Sequence, residues 1–251
     1  MLNVDDYLSS YFKNKIDSKT QITELYHDPL FSKYYNNSGS KGVNLHGDIM
    51  FYKKHINPDA LTLEIASGNG RVISALLEEN FNILGVEREQ SMINQMEYKY
   101  RKYVYKNDIF NFKELNEVYC EADYIIIPAT SISLFSWEDI KSFIENLVDV
   151  NQSFELIFDG INIESIINKK PFKEINRYGT FYIQNFKMVK DTSEWIIYNI
   201  YHKESNKIGY SIKYNHSIES LIDILKRYNI SNEIKISNES YYMIVGEYNG
   251  K

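Results

Sequence analysis

The chain has 251 residues, of which 43% are hydrophobic, so it is long enough to bury the core of one domain with an appended segment. Its formal net charge of -6 and its isoelectric point of about 5.5 argue against the basic surface that nucleic acids require. A single cysteine excludes an internal disulfide, and no apolar run approaches the roughly 18 residues of a membrane span. The first six positions carry acids where a signal peptide carries bases, which predicts a cytoplasmic protein.

The first part of the chain is polar and aromatic. Residues 1–42 predict an N-terminal arm of one or two short helices that ends in a flexible connection at Tyr34–Gly42. A further helix is predicted next, because apolar residues recur at helical spacing at Leu45, Ile49, Tyr52 and Ile56. Pro58 ends that helix just before the first strand of the core.

Strands and helices alternate from residue 61 to residue 159, which is the pattern of a parallel sheet with helices on its faces. The predicted strands are Leu61–Ile65, Phe81–Val86, Tyr103–Tyr105, Ala122–Ile127 and Phe154–Phe158. Helices are predicted after Gly70, over Ser91–Tyr100, and from Ser136, which forms a capping box with Asp139. The sequence therefore predicts an α/β fold.

After residue 160 the pattern changes to consecutive strands. Three strands with hairpin-like connections at Asp191–Ser193 and Ser205–Lys207 predict an antiparallel insertion, namely Phe181–Val189, Trp195–Tyr201 and Ile208–Tyr214. A helix capped by Ser217 and two closing strands, Glu233–Ile236 and Tyr241–Val245, complete the chain. We expect four parts: the arm (1–42), a ligand-binding core (43–165), the β insertion (166–216), and a C-terminal helix with closing strands (217–251).

A loop of small residues, Ala66–Gly70, joins the first strand to the first helix of the core. Its glycines let a ligand approach the backbone, and an open parallel sheet binds ligands at the carboxyl ends of its strands. Acidic residues lie at these ends: Glu64 precedes the loop, Glu87 follows the second strand, and Asp108 follows the third. A carboxylate after the second strand suits the two hydroxyls of a ribose, and one after the third suits the exocyclic amine of adenine.

A dinucleotide-binding fold shares this use of an acid on the ribose. Its fingerprint has glycine three positions after the second loop glycine, where this chain has Ile73. Glu64 would also place a carboxylate near a pyrophosphate, which is repulsive. The charge pattern favours S-adenosylmethionine, which carries an amino group and a positive centre, over NAD.

These residues resemble the class I S-adenosylmethionine-dependent methyltransferases, whose loop has the pattern acid-x-Gly-x-Gly-x-Gly. Here the loop is Glu64-Ile-Ala-Ser-Gly-Asn-Gly70, so Ala66 replaces the first glycine. The resemblance covers residues 43–160 and implies a Rossmann-like methyltransferase sheet with an N-terminal helical arm and an inserted antiparallel β segment.

The resemblance also implies roles for individual residues. Glu64 would lie near the amine of the methionine moiety, Glu87 would bind the ribose, and Asp108 would bind adenine. Ala129 and Thr130, after the fourth strand, would face the methionine end. The full set of expected cofactor-binding residues is Glu64, Ala66, Ser67, Gly68, Asn69, Gly70, Glu87, Asn107, Asp108, Ile109, Ala129 and Thr130.

The order of arm, alternating units, inserted strands, helix and closing hairpin is similar to that of small-molecule and peptide N-methyltransferases of natural-product pathways. By that analogy Tyr34, Tyr35 and Tyr182 would line the substrate pocket. Asp159 ends the fifth strand at the ligand edge, where it either orients a cationic amine or forms part of an Asp-Gly turn.

Two absences narrow the reaction. The segment Ile127–Ser131 lacks the Asn- or Asp-Pro-Pro-aromatic tetrapeptide of nucleic-acid amino-methylating enzymes, and the five histidines show no metal-ligand spacing. The sequence thus predicts methyl transfer to an amine of a small molecule or peptide, with no metal, nucleic-acid or membrane partner. The alternatives are an O-methyltransferase, a non-catalytic S-adenosylmethionine-binding protein, and a nicotinamide oxidoreductase.

Overall fold

The computed structural model describes residues 4–37, 45–161, 167, 170–190, 193–237 and 241–250, which form twelve strands and eight α-helices. The strands are β1 (Gln21–Glu24), β2 (Thr62–Ile65), β3 (Ile83–Glu87), β4 (Val104–Lys106), β5 (Tyr124–Ile127), β6 (Phe154–Ile161), β7 (Phe172–Asn176), β8 (Gly179–Lys190), β9 (Ser193–His202), β10 (Lys207–Tyr214), β11 (Ser231–Ser237) and β12 (Tyr241–Tyr248). The helices are α1 (Ser10–Lys13), α2 (Pro29–Tyr35), α3 (Asp48–His55), α4 (Arg71–Leu77), α5 (Gln90–Ile93), α6 (Phe112–Glu121), α7 (Trp137–Val150) and α8 (Ile218–Arg227).

Seven strands form the larger sheet, in the order β11-β12-β6-β5-β2-β3-β4. The five central strands from β6 to β4 are parallel, while β12 runs antiparallel to β6 and β11 antiparallel to β12. The chain builds outward from β2 through β3 to β4 and then crosses to β5 on the other side. A crevice therefore opens beyond the carboxyl ends of β2 and β5, where such sheets bind ligands. This topology confirms the predicted α/β class.

Apolar layers cover both faces of the larger sheet. All four residues of β2 are buried, as expected for a strand with helices on each side. One layer joins the sheet to α3 and α4, and the other joins it to α6, α7 and α8. None of the described helices is both long and apolar enough to cross a membrane.

The smaller sheet has five strands, in the order β1-β10-β9-β8-β7. The predicted antiparallel insertion is confirmed over β8, β9 and β10, and the arm adds β1 as a strand parallel to β10. On one face Phe181, Ile183 and Ile200 pack against Phe31 and Tyr34 of the arm. On the other face Ile208 packs against Leu8 and Phe12. Segments of the arm therefore cover both faces of the insertion.

The predicted helix over Ser91–Tyr100 is wrong. The chain forms only α5, which ends at Ile93, and then a short 3-10 helix over Tyr98–Tyr103. The side chain of Arg101 donates to the carbonyl oxygens of Asn94 and Met96, at 2.8 and 3.0 Å. These bonds use acceptors that a continuous helix would have paired along its own backbone.

Other segments also differ from the predictions. The sequence did not predict β1, β7 or α6. The suggested Asp-Gly turn is wrong, because Asp159 lies inside β6 and pairs with Met243. Tyr34 and Tyr35 belong to α2 rather than to a loop, and residues 38–44 of the predicted connection lie outside the described residues. The predicted boundaries at 42/43 and 165/166 and the turn at 191–192 also lie outside them, so they stay predictions.

Candidate functional site

The loop between β2 and α4 passes through three left-handed backbone positions. The φ angles of Ala66, Gly68 and Gly70 are 54°, 56° and 80°. Hydrogen bonds fix the turn, since Ser67 donates to Val86 at 3.1 Å and Gly70 donates to Ser67 at 2.9 Å. Alanine pays roughly 1–2 kcal/mol in this conformation, whereas glycine does not. Ala66 therefore adopts the left-handed conformation at a cost that Gly68 and Gly70 do not have.

Glu64 places a buried carboxylate directly before this loop. The residue is only 2% exposed, and its Oε2 has no hydrogen-bond partner among the described residues. Burial raises the pKa of Glu64 to about 8, although the nearby positive charge of Arg71 opposes that rise. A buried carboxylate oxygen without a donor fits a ligand that brings an ammonium group.

A buried ion pair at the start of α4 stabilises the end of the same loop. The Arg71 guanidinium, at the start of α4, donates from Nη1 to Oδ1 of Asp48 at 3.0 Å and from Nη2 to Oδ2. The two side chains are only 5% and 0% exposed. This pair joins the first turns of α3 and α4, so it fixes the helix that the loop enters. Within the described ranges, no group of His, Cys, Asp or Glu side chains is placed to hold a metal ion.

Glu87 ends β3 opposite the loop. Its Oε2 accepts the backbone N–H of Gly68 at 2.8 Å, and its Oε1 accepts that of Glu89 at 2.7 Å. Burial raises the pKa of Glu87, while both backbone donors favour its charged form. Each carboxylate oxygen retains a lone pair after these bonds, so two further donors such as vicinal hydroxyls can bind there.

The residues after β4 mainly hold the local turn. Asn107 accepts from the backbone of Asp108 at 2.8 Å and donates to Glu114 at 2.9 Å, which joins the end of β4 to α6. The carboxylate of Asp108 accepts from the backbone of Phe110 at 3.0 Å and remains half-buried. Ile109 is buried in the core. Asp108 thus lies beyond the strand end with lone pairs still available to a ligand.

Asp159 holds the loop that follows β5. Its Oδ1 accepts the backbone N–H of Thr130, and its Oδ2 accepts that of Ala129 at 3.2 Å and the hydroxyl of Tyr241 at 2.9 Å. Ala129 and Thr130 both have positive φ angles, of 58° and 61°. Burial raises the pKa of Asp159 to about 6. The carboxylate that we expected to orient an amine is thus occupied by three donors and fixes the loop.

The three tyrosines expected at the pocket lie in different places. The ring of Tyr35 contacts that of Tyr26, and the charges of Arg71 and Asp159 act on its hydroxyl, so Tyr35 lies above the strand ends. The hydroxyl of Tyr34 instead donates to Glu174 at 2.6 Å, which ties the arm to β7. Tyr182 packs near Tyr11 on the opposite face of the smaller sheet.

Sequence reasoning missed Lys213. Along β10 the apolar series that predicted the strand, Ile208, Tyr210, Ile212 and Tyr214, alternates with Gly209, Ser211 and Lys213. The second series lies on the face that carries the arm helix α2 at Gly209 and reaches the larger sheet at Lys213, since a Cβ at Gly209 would contact Phe31 and Lys213 donates to Thr130 on the loop after β5. The polar side of the alternation was the available signal. Only the packing between the two sheets shows that the polar side of β10 reaches the strand ends of the larger sheet at Lys213.

The fold of the chain is similar to that of solved S-adenosylmethionine-dependent methyltransferases. No protein-family model matches the chain, and no curated protein matches its sequence. Solved structures do match its fold. The CcbJ methyltransferase from Streptomyces caelestis is 11% identical, with a TM-score of 0.69 over 91% of this chain and 99% of that one.

Two further structures share this fold. The sugar N-methyltransferase KedS8 from Streptoalloteichus is 13% identical, with a TM-score of 0.65 over 87% of this chain and 92% of that one. An S-adenosylmethionine-dependent methyltransferase from Clostridium acetobutylicum is 15% identical, with a TM-score of 0.63 over 86% and 95%. At these identities the likeness establishes the fold.

Proposed function

We propose that the protein is an S-adenosylmethionine-dependent methyltransferase that methylates an amine of a small molecule or peptide. The observation that carries the proposal is the buried Glu64 carboxylate, with one oxygen lacking a hydrogen-bond donor, beside a loop whose next anchor is Glu87. When bound, S-adenosylmethionine supplies a methyl group activated on a sulfonium.

The charges of the site support this cofactor. Glu64 fits the ammonium of the methionine moiety. Its Oε2, which has no hydrogen-bond donor among the described residues, would repel the pyrophosphate of a nicotinamide dinucleotide. Glu87 has lone pairs for the ribose hydroxyls. Asp108 is half-buried at the next strand end, where an adenine amine would lie. We assign cofactor binding to the loop residues 64–70 and to these two acids.

The arm and the insertion supply the cover that methyl transfer needs. Tyr26, Tyr35 and Tyr198 lie close together in this cover, each of them half-buried, and burial raises the pKa of each hydroxyl. Exclusion of water and fixed orientation of the acceptor account for much of the rate of such a displacement. We therefore propose that residues 1–42 and 166–216 enclose the acceptor, with Tyr35 at its boundary.

Transfer to nitrogen rather than oxygen is the finer part of the proposal. A neutral amine attacks without a strong base, but its ammonium form must first lose a proton. Aromatic faces in the cover tolerate the positive charge that the acceptor nitrogen gains. The match to a solved sugar N-methyltransferase agrees with this choice.

Binding and product analysis test the proposal. Isothermal titration calorimetry with S-adenosylhomocysteine, S-adenosylmethionine and NADH should show binding of the first two only, and binding of NADH alone would contradict the assignment. Purified protein should then be incubated with S-adenosylmethionine labelled in its methyl group. The acceptor panel pairs each amine with its hydroxyl analogue, across amino sugars, amino acids and short peptides. Mass spectrometry should place the label on nitrogen.

A further inference from the structure

Lys213 is held at the strand ends by two hydroxyl groups. Its Nζ lies 3.3 Å from Oγ1 of Thr130 and 3.4 Å from Oγ of Ser133. Ser133 donates its own hydroxyl proton to the carbonyl oxygen of Thr130, at 2.7 Å, so towards Lys213 it is an acceptor. Two N–H bonds of Lys213 thus have partners on the loop after β5, and the remaining position on Nζ is available to a ligand.

Among the described residues, no acidic side chain lies within ion-pair distance of the Lys213 amine. On β6 the carboxylate of Asp159 acts on it from beyond ion-pair distance and is already bound by Ala129, Thr130 and Tyr241. On β9 its register partner is the uncharged Ile196.

The next lysine on this face of the small sheet, Lys187 on β8, forms an ion pair with Glu194 at 2.8 Å. Lys213 has no such partner within the described ranges. Burial lowers the pKa of Lys213 to about 8, and the charge of Asp159 limits that fall. Near pH 8 the amine therefore exchanges between its ammonium form and its neutral form, which has two N–H bonds and one lone pair. The two hydroxyls accept both N–H bonds, so the lone pair faces the remaining position.

We propose that Lys213 is the base that takes the proton from the acceptor amine. This inference rests on the proposed methyl transfer to nitrogen and adds a catalytic residue to it. An N–H bond of the acceptor ammonium breaks, a new N–H bond forms on Nζ, and the electron pair stays on the acceptor nitrogen, where attack requires it. Lys213 becomes an ammonium held by Thr130 and Ser133, and it returns the proton to solvent when the product leaves.

The proposal places a titrating amine near the sulfonium of the methyl donor. S-adenosylmethionine and S-adenosylhomocysteine differ by the methyl group and this positive charge. Protonated Lys213 repels the sulfonium, and neutral Lys213 does not. In the wild type the ratio of the dissociation constants, S-adenosylmethionine over S-adenosylhomocysteine, should therefore fall as pH rises through about 8. A change of about tenfold corresponds to two unit charges within about 10 Å at an effective dielectric constant of about 20.

Two substitutions define the highest and the lowest value that this ratio of dissociation constants should take. Lys213→Met removes the charge, so the ratio should stay low across pH 6 to 10, while Lys213→Arg keeps the charge, so the ratio should stay high. The wild type should move from the arginine limit to the methionine limit. Lys187→Met is the matched control and should titrate like the wild type. The methionine-moiety amine and Glu64 titrate in every variant, so the measured quantity is the part of the pH dependence that Lys213→Met abolishes.

Calorimetric affinities for both ligands at each pH give the result, and a ratio cancels a general loss of folded protein. Wild-type behaviour that coincides with Lys213→Arg at all pH values would mean a permanently charged lysine, which suits an anion-binding role and overturns the proposal. Wild-type pH dependence that survives in Lys213→Met would also overturn it. Failure of both ligands to bind the wild type would instead refute the proposed function itself.

Discussion

Gly68 donates its backbone N–H to Oε2 of Glu87 across 2.8 Å, which joins the loop after β2 to the acid that ends β3. The same carboxylate is the expected ribose ligand. One buried group thus fixes the path of the loop and presents its remaining lone pairs to the ligand. Strand pairing between β2 and β3 brings the two residues together, although they lie 19 positions apart.

Glu87→Gln should weaken binding of S-adenosylhomocysteine by about 1–3 kcal/mol, or about 5- to 160-fold. The amide keeps one acceptor oxygen but loses the charge, and its NH₂ group conflicts with one of the two backbone donors. Calorimetry measures the loss. Glu79→Gln, a substitution of an exposed acid paired with Lys53, should leave affinity unchanged. Equal affinity in wild type and folded Glu87→Gln would remove Glu87 from the ribose site.

Glu64 should make the ligand-free protein less stable as pH rises. Its folded pKa of about 8 lies above the ordinary glutamate pKa of 4.5, so the folded state binds the proton more tightly than the unfolded state. The cost of the buried charge is absent below the unfolded pKa and complete above the folded one. The free energy of unfolding should therefore fall between about pH 4.5 and pH 8.

Glu64→Gln tests this cost directly, because glutamine does not ionise. Relative to wild type it should gain stability between pH 5 and pH 8 by about 3 kcal/mol. Urea unfolding at several pH values measures the difference. The control, Glu233→Gln, changes an acid whose side chain is 66% exposed and should track the wild type. A difference that stays constant with pH would show that Glu64 is ionised in both states.

Local patterns predicted most of the strands and helices, but contacts between distant segments decide the site. The capping box at Ser136 and Asp139 forms as predicted, because it needs only residues three apart. The strand acids Glu64 and Glu87 were likewise visible from their positions after apolar runs. Lys213 was not, because alternation along β10 shows two faces without showing which one meets the larger sheet.

The N-terminal arm also contains a strand that local sequence patterns do not predict. Its strand β1 forms only because it hydrogen-bonds to β10, about 190 residues later in the chain. The four residues of β1, a mixture of polar and apolar types, are too few for their own pattern to predict a strand. The ion pair of Asp48 and Arg71 likewise depends on how α3 and α4 pack. Neither contact has a local sequence signature.

That ion pair should show strong coupling. Asp48→Asn or Arg71→Met alone leaves the other charge buried without its partner and should cost about 3–5 kcal/mol of stability. The double substitution removes both charges and should cost less than the sum of the single costs. Urea unfolding of the three variants at pH 7 completes the cycle. Additive costs would mean that the two side chains do not stabilise each other in solution.

Asp159→Asn should loosen the loop after β5. The asparagine NH₂ group would face a backbone donor of Ala129 or Thr130, and both residues hold left-handed conformations that need those bonds. Losing one buried acceptor costs about 1–3 kcal/mol, so amide hydrogen exchange there should accelerate about 5- to 160-fold. Exchange measured by NMR at these two amides is the readout. Tyr241→Phe removes only the hydroxyl donor and should accelerate exchange less. Unchanged exchange in Asp159→Asn would show that other contacts hold the loop.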